Sequence, residues 1–238
     1  MLSQQRFALK IAVISDIHSN IDALEAVIAR LPEHDELFCL GDSVGYGPQP
    51  NEVVERLIEL KPTAVLMGNH DYAVVTGDTN DFSPHAAEAV EWTRRRINHA
   101  NQNYLAKLKP SAKLERNGKS LALFHGSPRE PLSEYVYPNI FSTNASKLLE
   151  QEKAKIMLLG HTHVPMLFAF DSEMLGNPGS VGQPRDGNPL ASFAILSIME
   201  TGISFEIKRV EYNIESVADK IIQAGLPRFL ADRLYSGV

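Results

Sequence analysis

The chain has 238 residues, 44% of them hydrophobic, which is enough to bury a substantial core. Its net charge of −6 at pH 7 offers no broad cationic surface and so excludes a protein that binds long nucleic acid mainly through phosphates. No apolar stretch approaches the roughly 18 residues of a membrane span, so we expect no membrane contact.

The cysteine content bears on the cellular compartment. The one cysteine, Cys39, lies in a predicted strand, and a single cysteine cannot form an internal disulfide. The first ten residues lack the apolar core of a secretion signal. Both features favour a cytoplasmic protein, because thiols stay reduced in that compartment. We expect a single domain over residues 1–238, and the sequence indicates no oligomeric state.

The chain begins with short apolar runs that alternate with amphipathic segments, a pattern typical of βα units. Residues 10–15 are predicted to form a strand, and apolar residues at helical spacing then indicate a helix capped by Ser19 or Asn20. A second strand is predicted at 37–40. The first part of the chain is therefore predicted to repeat a unit of strand, turn and helix.

The pattern continues through the middle of the chain. The helix after the second strand is predicted over 52–60, with Asn51 as its cap, and a third strand over 63–67. Ser83, followed by proline at the first helical position, predicts a long and interrupted helix that reaches about Leu108.

Closely spaced strands dominate the second half. They are predicted at 120–124, 155–159, 166–170, 191–198 and 203–210. One helix is predicted among them, over 143–151, and the tail is predicted to hold a helix over 215–224 and a shorter one after Pro227. Early βα units followed by a strand-rich half predict two packed sheets with outer helices.

Polar residues that can bind metal follow five of the predicted strands. They are Asp16, His18, Asp42, Asn69, His125, His161 and His163. The carboxyl ends of strands are where an α/β sheet presents its ligand-binding groups. Residues two apart on an extended segment point the same way, so we expect Asp16 with His18, and His161 with His163, to face one site.

Seven ligands are more than one ion takes. A tetrahedral zinc ion accepts four, and calcium would use oxygens rather than imidazoles. Two transition metals fit, since one carboxylate can span ions roughly 3.5–4 Å apart when its two oxygens face different ions. Asp42 suits that role. The mixed imidazole and oxygen donors favour manganese, with iron, zinc, nickel or cobalt as alternatives, over magnesium.

The motifs, in their order, resemble the calcineurin-like metallophosphoesterase superfamily. They are Asp16-x-His18, Gly41-Asp42, Gly68-Asn-His-Asp71, the single His125 and Gly160-His-Thr-His163. The loops at 41–48 and 177–185 and the tail at 212–234 further resemble its small bacterial and archaeal phosphodiesterase-like branch. The resemblance implies an α/β fold, a four-layer α/β/β/α sandwich of two mixed β-sheets flanked by helices.

The resemblance also implies how the ligands divide. Asp16, His18 and His163 are implied to bind the first metal, Asn69, His125 and His161 the second, and Asp42 both. The histidines on either side of Thr162 would then serve different ions.

Residues beside the metals are implied to handle the substrate. His70 is implied to contact the phosphate or protonate the leaving group, which suits an imidazole, and Asn69 to share in substrate binding. Arg185 and Tyr46 occupy loops that can line the pocket, and a guanidinium fork suits phosphate oxygens. Tyr135 is a further candidate for the lining of the pocket. The alternatives are a solvated turn for Arg185 and a polar-tipped core residue for Tyr46 and Tyr135. Asp71 is expected to orient His70 or a ligand.

The function implied is a binuclear-metal-dependent phosphoesterase. Its substrate would be a small phosphodiester, for example a nucleotide, with phosphomonoesters and dinucleoside polyphosphates as further candidates. Two divalent ions, two aspartates and a hydroxide nucleophile leave one positive charge, which a diester monoanion neutralises. The alternatives are a phosphoprotein phosphatase and a non-catalytic metal-binding scaffold of the same fold. His70 favours an enzyme, because the scaffold relative in the retromer complex lacks that histidine.

Overall fold

The computed structural model describes residues 8–140 and 142–238, which contain two five-stranded sheets. One sheet has the order β10-β9-β1-β2-β3 and consists of β1 (Leu9–Ile14), β2 (Glu36–Cys39), β3 (Ala64–Val65), β9 (Ala191–Ile198) and β10 (Ile203–Val210). The other has the order β4-β5-β6-β8-β7 and consists of β4 (Ser111–Arg116), β5 (Lys119–Phe124), β6 (Ile156–Leu159), β7 (Met166–Ala169) and β8 (Met174–Asn177).

Both sheets are mixed. In the first sheet β1, β2 and β3 run parallel, with Val13 paired with Phe38, and β9 and β10 run antiparallel to their neighbours. In the second sheet β5, β6 and β8 run parallel, and β4 and β7 are antiparallel edge strands. The carboxyl ends of the parallel strands therefore lie at the same end of each sheet.

Eight helices lie within the described residues. They are α1 (Ile21–Ile28), α2 (Pro50–Leu60), α3 (Asn69–Thr76), α4 (Pro84–Arg94), α5 (His99–Leu105), α6 (Ser142–Glu152), α7 (Ile214–Gln223) and α8 (Arg228–Ser236). None of these helices has the length and apolarity that crossing a bilayer requires.

The core consists of three apolar layers, one between the two sheets and one on the outer face of each sheet. Alternate residues of β1, such as Ile11 and Val13, pack between the two sheets against Leu123 of β5. The intervening residues of β1 pack under α1 and α2, and α6 covers the outer face of the second sheet. Each buried aliphatic side chain contributes about 1.5–3 kcal/mol to folding. The predicted four-layer α/β/β/α sandwich is confirmed.

Two helix starts test the predicted caps. Asn20, one of the two predicted candidates, caps α1, because its side-chain oxygen accepts the N–H of Ala23 at 3.0 Å. The predicted cap Asn51 is wrong, since α2 begins two residues earlier than predicted, at Pro50, whose fixed φ suits the first helical position. The Asn51 side chain instead accepts the N–H of Asn98, which caps α5.

Three elements escaped the prediction, and one strand is shorter than expected. The edge strand β4 carries few apolar residues, and β8 is only four residues long. The helix α3 begins at Asn69, within the motif itself. The third strand covers only Ala64–Val65 of the predicted 63–67. The interrupted helix predicted after Ser83 is present as α4 and α5.

Candidate metal centre

The seven predicted ligands lie where the two sheets bring the ends of their parallel strands together. Asp16 and His18 follow β1, Asp42 follows β2, and Asn69 opens α3 beyond β3. His125 follows β5, while His161 and His163 follow β6. The side chains of both aspartates are buried, as are all four of these histidines. The structure thus gathers all seven in one cluster, in which Asn69 is partly exposed and the other six are buried.

The backbone at these ligands is left-handed rather than extended. The φ angles of five ligand residues lie between 51° and 65°, namely Asp16, His18, Asp42, His161 and His163. The predicted extended backbone at these residues is therefore wrong, although Asp16 with His18, and His161 with His163, do face the cluster. Each such conformation costs of the order of 1–3 kcal/mol in a residue other than glycine. Backbone bonds between the loops hold it, for example from His18 N–H to the Asp42 carbonyl at 3.0 Å.

One group of potential ligands contains Asp16, His18, Asp42 and His163, whose donor atoms all lie within 4.8 Å of one another. The Nδ1 atoms of His18 and His163 lie 3.1 Å and 2.6 Å from the carbonyl oxygens of Val44 and Gln183. Carbonyls only accept, so both Nδ1 atoms carry the proton. Both Nε2 lone pairs then face each other at 3.0 Å, which is repulsive unless a cation lies between them.

A second group contains Asp42, His125 and His161. The Nδ1 of His125 lies 2.8 Å from the Leu40 carbonyl, so Nε2, which lies 3.1 Å from the Asn69 side-chain oxygen, is the atom left to face a metal ion. The Nε2 of His161 lies 3.1 Å from the Ser133 carbonyl, which leaves Nδ1 as its ligand atom. Asn69 therefore joins this group through its oxygen.

The two aspartates each direct one oxygen into the cluster. Oδ2 of Asp16 accepts the N–H of His161 at 3.2 Å, and Oδ1 of Asp42 accepts the N–H of His70 at 2.8 Å. The remaining oxygens, Asp16 Oδ1 and Asp42 Oδ2, are buried and receive no hydrogen bond from any described residue. A buried acceptor left in this state costs about 1–3 kcal/mol, or more when charged. Divalent cations would satisfy both oxygens, so the residues present fit metal.

Asp42 is shared between the two groups through a single oxygen. Its Oδ2 lies 3.5 Å from Nε2 of His18 and 3.4 Å from Nε2 of His125. This differs from the predicted bridge, in which the two carboxylate oxygens face different ions, because the His70 N–H holds the other oxygen.

The electrostatics of the cluster favour positive charge. Burial alone would raise the pKa of Asp42, but neighbouring imidazoles, with His125 foremost, hold that pKa well below its usual value. Burial alone would lower the pKa of His125, yet the carboxylates of Asp42 and Asp16 raise it to about 9. At His161 the effect of burial is larger than that of the carboxylates, the charge of His125 adds to it, and the pKa of His161 falls to about 3. The carboxylates thus attract a cation between the groups, whether a proton or a metal ion.

Comparison with known proteins decides the family. The calcineurin-like phosphoesterase superfamily domain matches residues 9–201. The chain belongs to this superfamily. The resemblance predicted from the motifs is confirmed, and with it the assignment as a phosphoric ester hydrolase.

Several known phosphoesterases and relatives are similar to the chain. The uncharacterized protein MJ0912 of Methanocaldococcus jannaschii is 37% identical, over 95% of this chain and 98% of that protein. A crystal structure of a metallophosphoesterase from Sphaerobacter thermophilus is 34% identical, with a TM-score of 0.83 over 97% of this chain and 100% of that one. Phosphodiesterase YfcE of Escherichia coli is 27% identical over 79% and 87%. The symmetrical bis(5'-nucleosyl)-tetraphosphatase of Yersinia enterocolitica is 32% identical, over only 35% and 34%.

His70 of the phosphoesterase lies beside the two groups of potential ligands and belongs to neither. Its ring is buried, with centroid distances of 4.8 Å to His18, 4.3 Å to Tyr46 and 4.7 Å to Phe82. Burial lowers its pKa to about 4, an effect that Asp42 opposes and Arg185 reinforces. Its Nδ1 receives no hydrogen bond from the described residues.

Tyr46 and Arg185 lie on the side of the first group. The Tyr46 ring is 4.7 Å from the His18 ring, and the Arg185 guanidinium lies 5.5 Å from the Tyr46 ring centroid. One Arg185 nitrogen donates to the Gln183 side chain at 2.8 Å, while Nε is buried without an acceptor among the described residues. The charge of Arg185 helps burial to lower the pKa of His163. The structure therefore brings both residues to the centre.

Asp71 acts on the backbone rather than on the His70 ring. Its carboxylate accepts the N–H groups of Gly68 at 3.0 Å and Val44 at 3.1 Å, which ties the loop of Asp42 to the start of α3. Gly68 also packs tightly here, since a Cβ at that position would lie 2.0 Å from Asp42 Oδ1. The requirement for glycine in the motif is therefore steric.

Two further residues support the cluster: Asn177, to which the sequence assigned no role, and Tyr135, which was predicted only as a candidate for the pocket lining. Asn177 is buried and donates to the Gly160 carbonyl at 2.7 Å and to the Thr162 hydroxyl at 3.1 Å, which fixes the loop of His161. Tyr135 stacks on the His161 ring at a centroid distance of 3.9 Å. The loop at 177–185, already noted for its family resemblance, carried a signal for Asn177, whereas Tyr135 lies in a segment without periodicity.

Proposed function

We propose that the chain is a binuclear-metal-dependent phosphodiesterase that acts on a small phosphorylated substrate. The observation that carries this proposal is the single buried oxygen of Asp42, which two groups of ligands share within 3.5 Å. Asp16, His18 and His163 would hold one ion, Asn69, His125 and His161 the other, and Asp42 both. The imidazole and oxygen donors favour manganese, with iron, zinc, nickel or cobalt as alternatives.

The ions, when bound, would supply Lewis-acid activation of water and of the phosphate oxygens. The remaining work belongs to the protein. His70 would donate a hydrogen bond to the phosphate or to the leaving oxygen, and its neighbour in the sequence, Asn69, would share in binding the substrate. Arg185 would meet a non-bridging oxygen through its partly buried guanidinium, since its Nε has no acceptor among the described residues. Tyr46 packs between Arg185 and His70 and holds their positions.

A diester is the substrate class that the charges of the centre favour. A monoester dianion would leave the metal, aspartate and hydroxide charges with one negative charge in excess. The name of the relative YfcE, a phosphodiesterase, supports the same class. The tetraphosphatase relative supports a dinucleoside polyphosphate as a second candidate, through the shorter matched region. The cytoplasmic location stays a prediction from the cysteine content.

Substrate preference and the role of Arg185 can be tested together. We expect manganese-loaded protein to hydrolyse bis(p-nitrophenyl) phosphate with a higher kcat/KM than p-nitrophenyl phosphate. Arg185→Ala should lower the monoester rate by about 10- to 100-fold and the diester rate by less, because the dianion has an additional charge for the guanidinium to meet.

The matched control is Arg95→Ala. Arg95 is exposed, follows the last residue of α4 and forms an ion pair with Glu91. This control should leave both rates unchanged. Equal losses for the two substrates in Arg185→Ala would show that Arg185 does not read phosphate charge. A wild-type preference for the monoester would contradict the diester proposal.

A further inference from the structure

A groove opens beside the second group of potential ligands. It has a volume of about 240 Å³, and Asn69 and His161 form the part of its wall next to the centre. A phosphate bound at the centre would therefore direct one ester arm into it. The volume lies below the roughly 300–1,000 Å³ that enclose a drug-sized ligand, so the groove suits one ring system rather than a whole dinucleotide.

Aromatic rings line the groove. Tyr72, Phe82 and Tyr135 contribute to its wall, and Tyr72 and Tyr135 are 39% and 49% exposed. Two of these rings are fixed against imidazoles of the centre: Tyr135 stacks on His161 at 3.9 Å, and Phe82 meets His70 edge-on at 4.7 Å. Exposed aromatic faces held in this manner suit stacking with a planar ligand.

The polar residues of the groove define the charge of its ligand. Asp78, Asn80 and Asp81 lie on the loop between α3 and α4, and no lysine or arginine is among the described lining residues. The two carboxylates would repel a second phosphate but would accept hydrogen bonds from amino groups. The groove is thus aromatic and acidic, and its described lining residues offer no cation to a second phosphate.

We propose that this groove binds the base of a nucleoside attached to the phosphate that the centre hydrolyses. The inference rests on the proposed phosphodiesterase function and narrows its substrate. The ligand is a planar base with an exocyclic amino group, and the nucleoside carries no phosphate beyond the scissile one. It follows that dinucleoside polyphosphates, whose additional charges would meet Asp78 and Asp81, are the poorer substrates.

The test compares phosphodiesters that share one leaving group. The probes are the p-nitrophenyl esters of adenosine 5'-phosphate and uridine 5'-phosphate, with methyl p-nitrophenyl phosphate as the reference without a nucleoside. We expect kcat/KM to rise at least about fivefold from the methyl to the adenosine ester, since stacking of one base contributes about 1–3 kcal/mol. The uridine ester, which has no exocyclic amine, should fall between them.

Two sets of variants separate stacking from charge. Tyr72→Ala should reduce the ratio of adenosine to methyl ester rates by about fivefold or more, while the exposed Tyr235→Ala on α8 should leave this ratio unchanged. The double variant Asp78→Asn with Asp81→Asn should lower the adenosine ester rate and raise that of diadenosine tetraphosphate. Opposite changes of this kind would not follow from a general loss of structure.

The outcomes distinguish this inference from the proposed function. If methyl p-nitrophenyl phosphate is hydrolysed but the adenosine ester has no advantage, or Tyr72→Ala leaves the ratio intact, the groove does not bind the base. If diadenosine tetraphosphate is the better wild-type substrate, the charge argument is wrong. If no diester is hydrolysed by metal-loaded protein, the proposed function fails and the inference fails with it.

Discussion

Asp42→Asn should remove metal from both groups and reduce hydrolysis by roughly 10³-fold or more, because each ion contributes several kcal/mol of charge stabilisation. The amide oxygen can still accept the His70 N–H that now bonds Asp42 Oδ1 at 2.8 Å. The amide nitrogen then replaces Oδ2 and donates to the Nε2 atoms of His18 and His125, where an ion would otherwise bind. Elemental analysis of the purified variant measures the loss.

The matched variant is His163→Ala, which should deplete mainly the first metal because His163 belongs to only one group of ligands. The comparison of the two variants tests the shared role of Asp42. If Asp42→Asn loses one ion and keeps the other, Asp42 does not bridge. If His163→Ala empties both positions, the two groups do not bind independently.

His70→Ala should retain both metals and lose roughly 10²–10⁴-fold in turnover, the range usual for a general acid or base. Metal binding should survive because the His70 backbone N–H, rather than its ring, holds Asp42 in place. The buried ring meets Tyr46 and Phe82, so thermal unfolding of the variant provides the check that packing is preserved.

A series of leaving groups decides between the two roles open to His70. If the imidazole protonates the leaving oxygen, the loss in His70→Ala should grow as the leaving alcohol becomes less acidic than p-nitrophenol. If it only contacts the phosphate, the loss should be the same across the series. Loss of metal in this variant would instead show that His70 is a ligand.

The layers of the fold and the composition of the cluster were predictable because both depend on periodic or repeated local signals. The apolar run of β1 and the helical spacing after Asn20 each report burial directly. The potential ligands recur at successive strand ends, a pattern that packing alone does not require. Their assembly in one cluster follows because the carboxyl ends of parallel strands lie at the same end of a sheet.

The conformations inside the cluster were not predictable in this way. The left-handed backbone of Asp16 and Asp42 depends on hydrogen bonds between loops that are distant in the sequence, such as Asp16 N–H to the Gly41 carbonyl at 3.0 Å. The cap expected at Asn51 failed because Asn51 has a partner, Asn98, 47 residues away. Tyr135 reaches His161 from a loop with no pattern of its own, so only the folded chain reveals the groove.

The number of metal ions that the wild-type chain binds decides whether the centre is binuclear. Metal-free protein titrated with manganese, then freed of unbound ion and measured by elemental analysis, should reach two ions per chain, since two groups of ligands meet at the one oxygen of Asp42. Saturation at a single ion per chain under excess manganese, and again under excess zinc, would contradict the binuclear centre.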